Sequence, residues 1–466
     1  MNISENTRRA HQSLSTTSIR FLEYCEKNPK TTTPEAFESL LVARGLNIDF
    51  GKLHPWPTFV NRETRMESER ASTQVFDLIR SIPSRLFDND PEKISRFYNV
   101  GLREAEYFLF DTSEHLIRSQ VGRGDFILGA EGLKCVEFNV GGHLGGWDAS
   151  FLAGNYLNIP FMKEFFHEHG VTMKYRDILN DTFKHLLDSH MKKCVGHSGL
   201  TNIAFILPGF DENAGVNPFH AAVNQMYKDF LAGHYPHCHG QVFFTGFSSL
   251  AYDDVSPNYD GNPLHIILQI GLFAIPMEAL ILSKMGNLTL LNGTISWILG
   301  NKLNLAALSL HQDSDLFTSE EQEIIKKYIP WTRRLSDTET VYKGESISLK
   351  ETLLAHPELF TIKPSAGMGG SGVVVGKTAS AEEWGALVAA HIGKSDWLVQ
   401  EYVEALPYVF PLEDGSCVEH ASVWGFFVFG SQYIGGFLRI MPRLNSQLVI
   451  NYHLGARESV IIEVDE

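Results

Sequence analysis

Apolar residues recur along the chain with two different spacings, and the change between them divides it. Ser68–Leu86 and Asp90–Asp111 carry apolar residues at the spacing of a helix, interrupted by prolines. We therefore expect residues 1–118 to be mostly helical. From residue 121 the apolar runs are shorter and bounded by glycines, which is typical of strands.

Strands and helices alternate in the middle of the chain. Asn202–Leu207, Gln241–Thr245 and His265–Ile270 are short apolar runs, and a helical pattern near 215–232 separates the first two. This alternation predicts a small parallel sheet covered by helices, in the manner of a Rossmann-like lobe. A further helix is expected at 170–193.

The last third of the chain returns to strands. The polar and charged residues 311–355 indicate surface helices. After them the predicted strands are Phe360–Lys363, Gly372–Val375, Trp397–Tyr402, Val423–Phe429 and Gln432–Leu438.

The most informative segment is a predicted hairpin that turns at Gly129–Gly132. Arg123 and Asp125 stand two residues apart in its first strand, and Glu137 and Asn139 two apart in its second. Alternate residues of a strand share one face, so a cation, two carboxylates and an amide oxygen meet on one face. Oxygen ligands of this kind suit Mg²⁺, and Mg²⁺ suits a nucleoside triphosphate.

A solvated hairpin face would explain the same acids without a metal. The flanking runs Phe126–Leu128 and Val136–Phe138 are apolar, which favours at least partial burial. A buried pair of carboxylates repels itself unless a cation lies between the two groups. Both interpretations stay open on this segment alone.

A second group of motifs lies in the C-terminal third. The strand Phe360–Lys363 delivers a lysine to the loop 364–372, which contains four glycines and leads into another strand. Glycines let backbone N–H groups approach an anion, and the lysine supplies a point charge for phosphate. Walker and dinucleotide-binding loops open a helix, so this loop is neither. Lys302 begins an apolar helix, the strand 397–404 turns acidic at its end, and Arg439 follows.

Together these motifs resemble the ATP-grasp superfamily in its circularly permuted form, in particular ligases of the glutathionylspermidine synthetase type. In conventional members the phosphate-loop half precedes the metal half, whereas here the hairpin comes first. The resemblance covers residues 119–455 and includes the twelve-residue spacing of Asp125 and Glu137.

The resemblance implies an α/β (α+β) protein with four parts. These are a mostly helical N-terminal region (1–118), the metal-ligand half of the ATP-grasp module (119–195), the added Rossmann-like lobe (196–300), and the lysine and glycine-loop half that binds the nucleotide (301–466).

The resemblance also implies a role for each motif residue. Asp125, Glu137 and Asn139 would hold two Mg²⁺ ions, with Mn²⁺ as an alternative, that bridge the ATP phosphates. Arg123 would stabilise the transferred phosphoryl group. The implied nucleotide contacts are Lys302 and Lys363 at the α- and β-phosphates, Gly367, Gly369, Gly370, Ser371 and Gly372 as a mobile flap, Gln400, Glu401, Tyr402, Val403 and Glu404 as the hinge at adenine and ribose, and Arg439 as a further phosphate contact.

The implied activity is ATP-dependent joining of a carboxylate to an amine. Transfer of the γ-phosphoryl group activates the carboxylate as an acyl phosphate, and the amine then displaces phosphate to leave an amide. The substrate class is an amino acid, a peptide or a polyamine. Two alternatives stay open: a non-catalytic or regulatory nucleotide-binding protein of the same fold, and a phosphotransferase that stops at the phosphorylated product.

The composition limits which partners and which cellular location are expected. Among 466 residues, 39 are Lys or Arg and 55 are Asp or Glu, giving a net charge of −16. This balance argues against general binding to nucleic acids or anionic membranes. The partners that the resemblance implies are small-molecule acids and amines, and a homodimer is an open alternative. Five widely spaced cysteines do not predict a disulfide framework, and a reducing cytoplasm is the expected location. The N-terminus lacks the apolar core of a signal peptide, and the apolar run 265–285 contains charges and a proline, so neither is expected to enter a membrane.

Three further features are weighed against simpler explanations. His234–His239 holds three histidines and a cysteine too close together for one tetrahedral metal site, so a polar loop is expected. Cys135 is expected to pack in an apolar strand. The loop Gly141–Asp148 follows the hairpin directly, and its N–H groups are expected near the acyl phosphate or acceptor carboxylate, with a plain tight turn as the alternative. Within it, His143 and Asp148 are candidate substrate contacts.

Replacing Glu137 by glutamine tests the metal assignment. Glu137→Gln removes one carboxylate charge without changing the shape of the side chain, so we expect ATP-dependent turnover to be abolished while the fold stays intact. Steady-state ADP release and circular dichroism check the two parts. Near-normal turnover of the variant would show that the assignment is wrong.

Overall fold

The computed structural model describes residues 3–33, 53–141, 146, 153–154, 156–194, 199–207, 209, 217–367, 369–443, 448–451 and 454–466. Within these residues the chain is a mixed α/β protein in which helices flank β-sheets. The helices run over Glu5–Leu14 (α1), Thr16–Lys27 (α2), Arg62–Phe87 (α3), Pro91–Tyr98 (α4), Leu102–Phe108 (α5), Glu114–Ser119 (α6), Pro160–His169 (α7), Ile178–Lys193 (α8), Pro218–His234 (α9), Met277–Lys284 (α10), Ser296–Leu299 (α11), Leu303–Leu310 (α12), Ser319–Tyr328 (α13), Leu349–Ala355 (α14) and Ala381–His391 (α15). Short 3-10 turns lie at Pro29–Thr32, Phe247–Ser249 and Pro357–Leu359.

The strands of the described residues belong to several sheets. In chain order they are Thr58–Val60 (β1), Val121–Gly129 (β2), Gly132–Val140 (β3), Met173–Lys174 (β4), Ile203–Ile206 (β5), Val242–Thr245 (β6), Ala251–Tyr252 (β7), Pro257–Tyr259 (β8), Asn262–Pro263 (β9), Ile266–Gln269 (β10), Thr289–Leu291 (β11), Thr332–Arg334 (β12), Glu339–Tyr342 (β13), Glu345–Ser348 (β14), Phe360–Pro364 (β15), Val374–Val375 (β16), Trp397–Glu401 (β17), Tyr408–Pro411 (β18), Cys417–Phe429 (β19), Gln432–Pro442 (β20) and Arg457–Val464 (β21).

The largest sheet has eight strands and takes them from both halves of the chain. Six of them follow the order β1-β21-β20-β19-β2-β3, while β18 pairs with β19 and β4 pairs with β21. The early hairpin β2–β3 therefore adds to β19, about 300 residues later, in an antiparallel ladder. Strand β1 brings the N-terminal region into the sheet by pairing in parallel with β21.

Helix α3 covers one face of this sheet. Its side chains Ala71, Val75, Phe76 and Ile79 recur at helical spacing and are fully buried. The Phe76 ring stacks on the Phe138 ring of β3 with centroids 4.6 Å apart. Each buried aromatic or branched side chain contributes about 1.5–3 kcal/mol, so α3 fixes the hairpin from behind and leaves its opposite face for polar residues.

Two smaller four-stranded sheets complete the core. The sheet β11-β10-β5-β6 is parallel throughout, as the alternating pattern predicts. The sheet β12-β17-β15-β16 is antiparallel, and α14 and α15 pack against it through Leu353, Trp384 and Val388. It lies beside the hairpin, because side chains of β15 and of the residue before α12 reach β3.

The structure corrects two of the predicted segments. The predicted helix over 90–111 is two helices, broken where Asn99 adopts a left-handed φ of 54° as the cap of α4. The prediction of surface helices throughout 311–355 is wrong in part, since β12 joins the small sheet and β13–β14 form a hairpin. That hairpin turns at Lys343-Gly344, both with positive φ. Every helix in the described part of the chain is too short or too polar to cross a bilayer.

Buried neutral histidines surround β18. The Val409 N–H donates to His11 Nε2 at 3.0 Å, and the Trp56 N–H donates to His54 Nδ1 at 3.1 Å. A ring nitrogen that accepts a hydrogen bond cannot carry a proton, so both rings are held neutral. Burial lowers the pKa of His11 to about 4, with Arg8 adding to the shift, and lowers the pKa of His54 to about 3.

These histidines predict loss of stability in mild acid. Their folded pKa values lie below the unfolded value, so the unfolded chain binds more protons below about pH 6.5 and unfolding becomes easier as pH falls toward about 4. Each histidine adds a slope of about 1.4 kcal/mol per pH unit in this window. Urea unfolding at several pH values measures the slope. His11→Gln, which cannot titrate, should reduce the slope, and a slope equal to that of the unsubstituted chain would contradict the assignment.

Candidate functional site

The hairpin brings the predicted charged residues onto one face. In the β2–β3 ladder Asp125 lies opposite Glu137, and Arg123 lies opposite Asn139. On the other side of β2, Gly425 of β19 lies opposite Asp125. These four side chains share the sheet face opposite α3, because each stands two residues from its neighbour along its strand.

A β-bulge in β3 changes how the hairpin meets the small sheet. The register shifts between Asp125 and Phe126, which leaves Val136 as the extra residue. Its carbonyl oxygen accepts a hydrogen bond of 2.6 Å from Lys363 Nζ on β15. The bulge thus provides a backbone acceptor next to Glu137.

Asp125 is buried and held by two guanidinium groups. Arg123 donates from Nε to Oδ1 at 2.8 Å and from Nη2 to Oδ2 at 3.0 Å, and Arg439 donates from Nη2 to Oδ2 at 2.6 Å. Asn139 Nδ2 lies 3.3 Å from the same Oδ2. Burial alone would raise the pKa of Asp125, but the two arginines outweigh burial and hold the pKa below its ordinary value. The carboxylate is therefore ionised at neutral pH.

Lys302 connects Glu137 to the glycine loop. Its Nζ lies 3.0 Å from Glu137 Oε1 and donates to the Gly367 carbonyl at 2.9 Å. Its backbone N–H donates to the Ser365 carbonyl at 3.0 Å. One lysine thus contacts a hairpin carboxylate and the start of the loop.

Lys363 is buried and held from two sides. Besides the Val136 carbonyl, its Nζ donates to Gln400 Oε1 at 2.8 Å, and Gln400 Nε2 donates to Thr332 Oγ1 at 3.0 Å. Burial lowers the pKa of Lys363 to about 8, although Glu137 opposes the shift. The resemblance implies a hinge role for Gln400. In the structure Gln400 lies on β17, holds this lysine, and is itself held by Thr332 on β12.

The other hinge residues line a cleft of about 390 Å³ between the hinge and the hairpin turn Gly129–Gly132. Glu401 Oε1 accepts from the Tyr342 hydroxyl at 2.9 Å and pairs with Lys343 at 3.1 Å. Glu404 pairs with Lys377 at 2.6 Å. The backbone N–H groups of Glu401 and Tyr402 donate to the carbonyls of Trp331 and Leu359, and Val403 follows them along the lining of the cleft.

The glycine loop has the backbone that the sequence indicates. Gly367, Gly369, Gly370 and Gly372 have φ of 134°, 68°, 73° and 73°, a region that other residues rarely adopt. The loop therefore requires these glycines. Ser371 lies in the same turn, and residue 368 lies outside the described residues.

The loop after the hairpin is described only in part. Gly141 accepts from the Gly271 N–H at 2.9 Å, and a Cβ on Gly146 would come within 2.1 Å of the Phe437 ring. Residues 142–145 and 147–148, with His143 and Asp148, lie outside the described residues, so the predicted substrate contacts stay predictions. Cys135 is buried, and burial raises its pKa, which disfavours the reactive thiolate.

Sequence patterns missed the residues that complete this face. Phe437 lies opposite Gly425, and the Arg123 guanidinium lies 5.6 Å from the centroid of its ring. The buried Glu458 of β21 lies opposite Arg439. Only the strand register brings these residues together, so no local motif could have found them. In the described part of the chain, no three His, Cys, Asp or Glu side chains converge as a metal site.

Comparisons with known proteins give little further information. No family model matches the chain, and no curated protein matches it. Among solved structures, one similar chain is a protein from Methylobacillus flagellatus provisionally named gamma-glutamylcysteine synthetase. The TM-score is 0.39 at 11% identity, over 83% of this chain and 88% of that one. At that distance the likeness assigns neither a fold nor an activity to this chain.

Adding one methyl group at Gly425 should disturb the charged face. An added Cβ would lie 2.7 Å from Phe437 Cε1 and 3.2 Å from Arg123 Cδ, so we expect Gly425→Ala to lower the free energy of unfolding by about 1–3 kcal/mol. Gly385 is a matched control, since it lies within α15 with open space around it, and Gly385→Ala should stabilise by about 0.5–1 kcal/mol. Urea unfolding compares the two, and equal effects would contradict the crowding.

Proposed function

We propose that the protein is an ATP-dependent ligase that joins a carboxylate to an amine through an acyl phosphate. One observation carries the proposal. Lys302 and Lys363, which the resemblance associates with phosphate, contact Glu137 and the carbonyl of Val136 on a hairpin more than 160 residues earlier. The acidic and the basic motifs therefore form one site.

The donor set fits magnesium that arrives with a nucleotide. Asp125 and Glu137 supply carboxylate oxygens and Asn139 supplies an amide, too few for a cage made by protein alone. Mg²⁺ ordinarily binds through one or two carboxylates together with substrate phosphates. When bound, the ions would neutralise charge on the phosphate oxygens and so assist phosphoryl transfer.

The cations of the site have a second task in this proposal. Arg123, Arg439 and Lys302 neutralise Asp125 and Glu137 within the protein itself. Magnesium would take over those carboxylates, which leaves the guanidinium and ammonium groups to bind phosphate oxygens. Fixed cations around the transferred group stabilise the charge that develops during phosphoryl transfer.

The hinge cleft is the proposed nucleoside site. Its volume of about 390 Å³ lies in the range of small-molecule sites. The Val403 N–H is the proposed donor to the base, and Glu401, Tyr402 and Glu404 form the adjoining wall. Lys363, held by Gln400 and by Val136, lies between this cleft and the charged face, where phosphates would extend.

The chemistry needs a site closed to water. An oxygen of the acid attacks the γ-phosphorus as the bond to the β-phosphate oxygen breaks, and ADP leaves. The amine then attacks the acyl carbon, phosphate leaves with the bonding electrons, and the nitrogen loses a proton. Water would hydrolyse the acyl phosphate, and the glycine loop that Lys302 contacts is the proposed flap that closes over it.

The proposed architecture is a circularly permuted ATP-grasp module. Its metal half is the hairpin β2–β3, and its nucleotide half comprises Lys302, the small sheet β12-β17-β15-β16 and the glycine loop. The parallel sheet β11-β10-β5-β6 would be the added lobe, and the N-terminal helices would support the module through α3.

Release of ADP against pairs of acids and amines tests the reaction. We expect ADP and phosphate only when both an acid and an amine are present, with an amide product detected by mass spectrometry. ADP release with the acid alone and accumulation of a phosphorylated acid would indicate a phosphotransferase. Nucleotide binding without turnover for any pair would indicate a non-catalytic protein.

Removing either lysine should slow turnover sharply. Lys302→Met and Lys363→Met keep much of the side-chain length but lose the charge, so kcat/KM for ATP should fall by about 100-fold or more. Lys184→Met is a matched control, because Lys184 lies on α8 and forms an i,i+4 ion pair with Asp188 at the surface. Turnover equal to that of the control would contradict the phosphate assignment.

A further inference from the structure

A second polar cleft lies at the edge of the large sheet, away from the candidate site. It has a volume of about 620 Å³ and lies where β4, β21 and the first turn of α3 meet. We call it the edge cleft. None of its lining residues belongs to the hairpin, the hinge or the glycine loop.

The edge cleft reverses the charge of the rest of the molecule. Four of its lining residues are cations and two are acids, although the whole chain has 55 acidic against 39 basic residues. The cations are Arg62, Arg65, Lys174 and Arg176, and the acids are Glu463 and Asp465. The cleft therefore carries a local excess of positive charge.

The cations are held in place by the acids. Glu463 pairs with Arg176 at 3.0 Å and with Arg65 at 3.7 Å, so one carboxylate is shared by two guanidinium groups. Arg65 also pairs with Glu69 at 3.3 Å, and Lys174 pairs with Asp465 at 2.9 Å. The Arg176 guanidinium also lies 5.8 Å from the centroid of the Tyr433 ring. These contacts preorganise the arginines, which lowers the entropy lost when a ligand binds.

Arg62 adds a charge that these acids do not balance. Within the described residues, Arg62 is exposed and no acid lies within ion-pair distance of it. It stands three residues before Arg65 on α3, so the two side chains are neighbours on the helix surface. An anion at Arg62 would supply the charge that no acid supplies there.

A solvated surface network is the simpler explanation of these charges. Two features favour a ligand instead. The volume lies in the range of small-molecule sites, and three of the four cations are arginines, whose planar fork binds phosphate and carboxylate groups through paired hydrogen bonds. The cations come from two separate segments, 62–65 and 174–176, so a ligand with an anionic group for each segment fits the cleft.

We propose that the edge cleft binds a small polyanion that carries at least two phosphate or carboxylate groups, at a site separate from the candidate functional site. The cleft shares its strand β21 with Glu458, and α3 packs behind the hairpin, so its occupant would contact the elements that support the charged face without touching it.

Calorimetric titration with inorganic pyrophosphate and with citrate, at low ionic strength and without divalent ions, tests the proposal and separates phosphate from carboxylate. We expect saturable one-to-one binding of at least one probe that weakens as salt is added. Arg62→Gln and Arg176→Gln should each weaken binding by about tenfold or more. Arg9→Gln removes a charge from an exposed helical ion pair and should leave binding unchanged.

Two controls guard against false results. Arg176 contributes to packing, so thermal unfolding must show that Arg176→Gln is folded, while the exposed Arg62 tests the cleft without that concern. Lys302→Met removes a cation of the candidate functional site and should retain binding in the edge cleft. Absence of saturable binding by both probes, or binding lost in Lys302→Met but kept in Arg62→Gln, would overturn the proposal.

Discussion

The site depends on neutralising carboxylates that the fold takes out of water. Asp125 is 3% exposed, and a lone ionised carboxylate at that depth would cost several kcal/mol. Arg123 on the same strand and Arg439 on β20 both bind it. Lys302, which follows the parallel sheet in sequence and directly precedes α12, binds Glu137. Because these partners come from distant parts of the sequence, the charges stabilise the folded chain only when all of its parts have assembled.

The same contacts determine how the site responds when one charged partner is removed and when one cation replaces another. Removing one member of a buried pair leaves an uncompensated charge, whereas replacing one cation by another preserves the balance. In the proposed reaction a divalent ion would take the place of a lysine or an arginine at these carboxylates. Lys363 is held by the Val136 carbonyl and by Gln400, so its position does not depend on either carboxylate.

Local patterns predicted the elements of this structure better than their assembly. The hairpin, the parallel sheet and the glycine loop follow from spacing and turn residues, and the structure has them. Lys343-Gly344 and Asn99 carry turn signals too, but the polarity of 311–355 outweighed the first and the helical spacing of 90–111 outweighed the second. The bulge at Val136, the opposition of Gly425 to Phe437 and the burial of Glu458 depend on strand register, which only the completed sheet defines. The predicted role of Gln400 in the hinge stays a prediction, as do the predicted substrate contacts of the loop after the hairpin, since most of that loop lies outside the described residues.

The order of strands in the large sheet also has a consequence for biosynthesis. Strand β2 is made about 300 residues before its partner β19, and β1 must wait for β21 at the end of the chain. Until then the edge of β2 exposes unpaired backbone groups beside apolar side chains, the kind of surface that promotes aggregation. Contacts so distant in sequence also slow folding. A nascent chain of this protein therefore has to remain soluble through most of its synthesis before its central sheet can close.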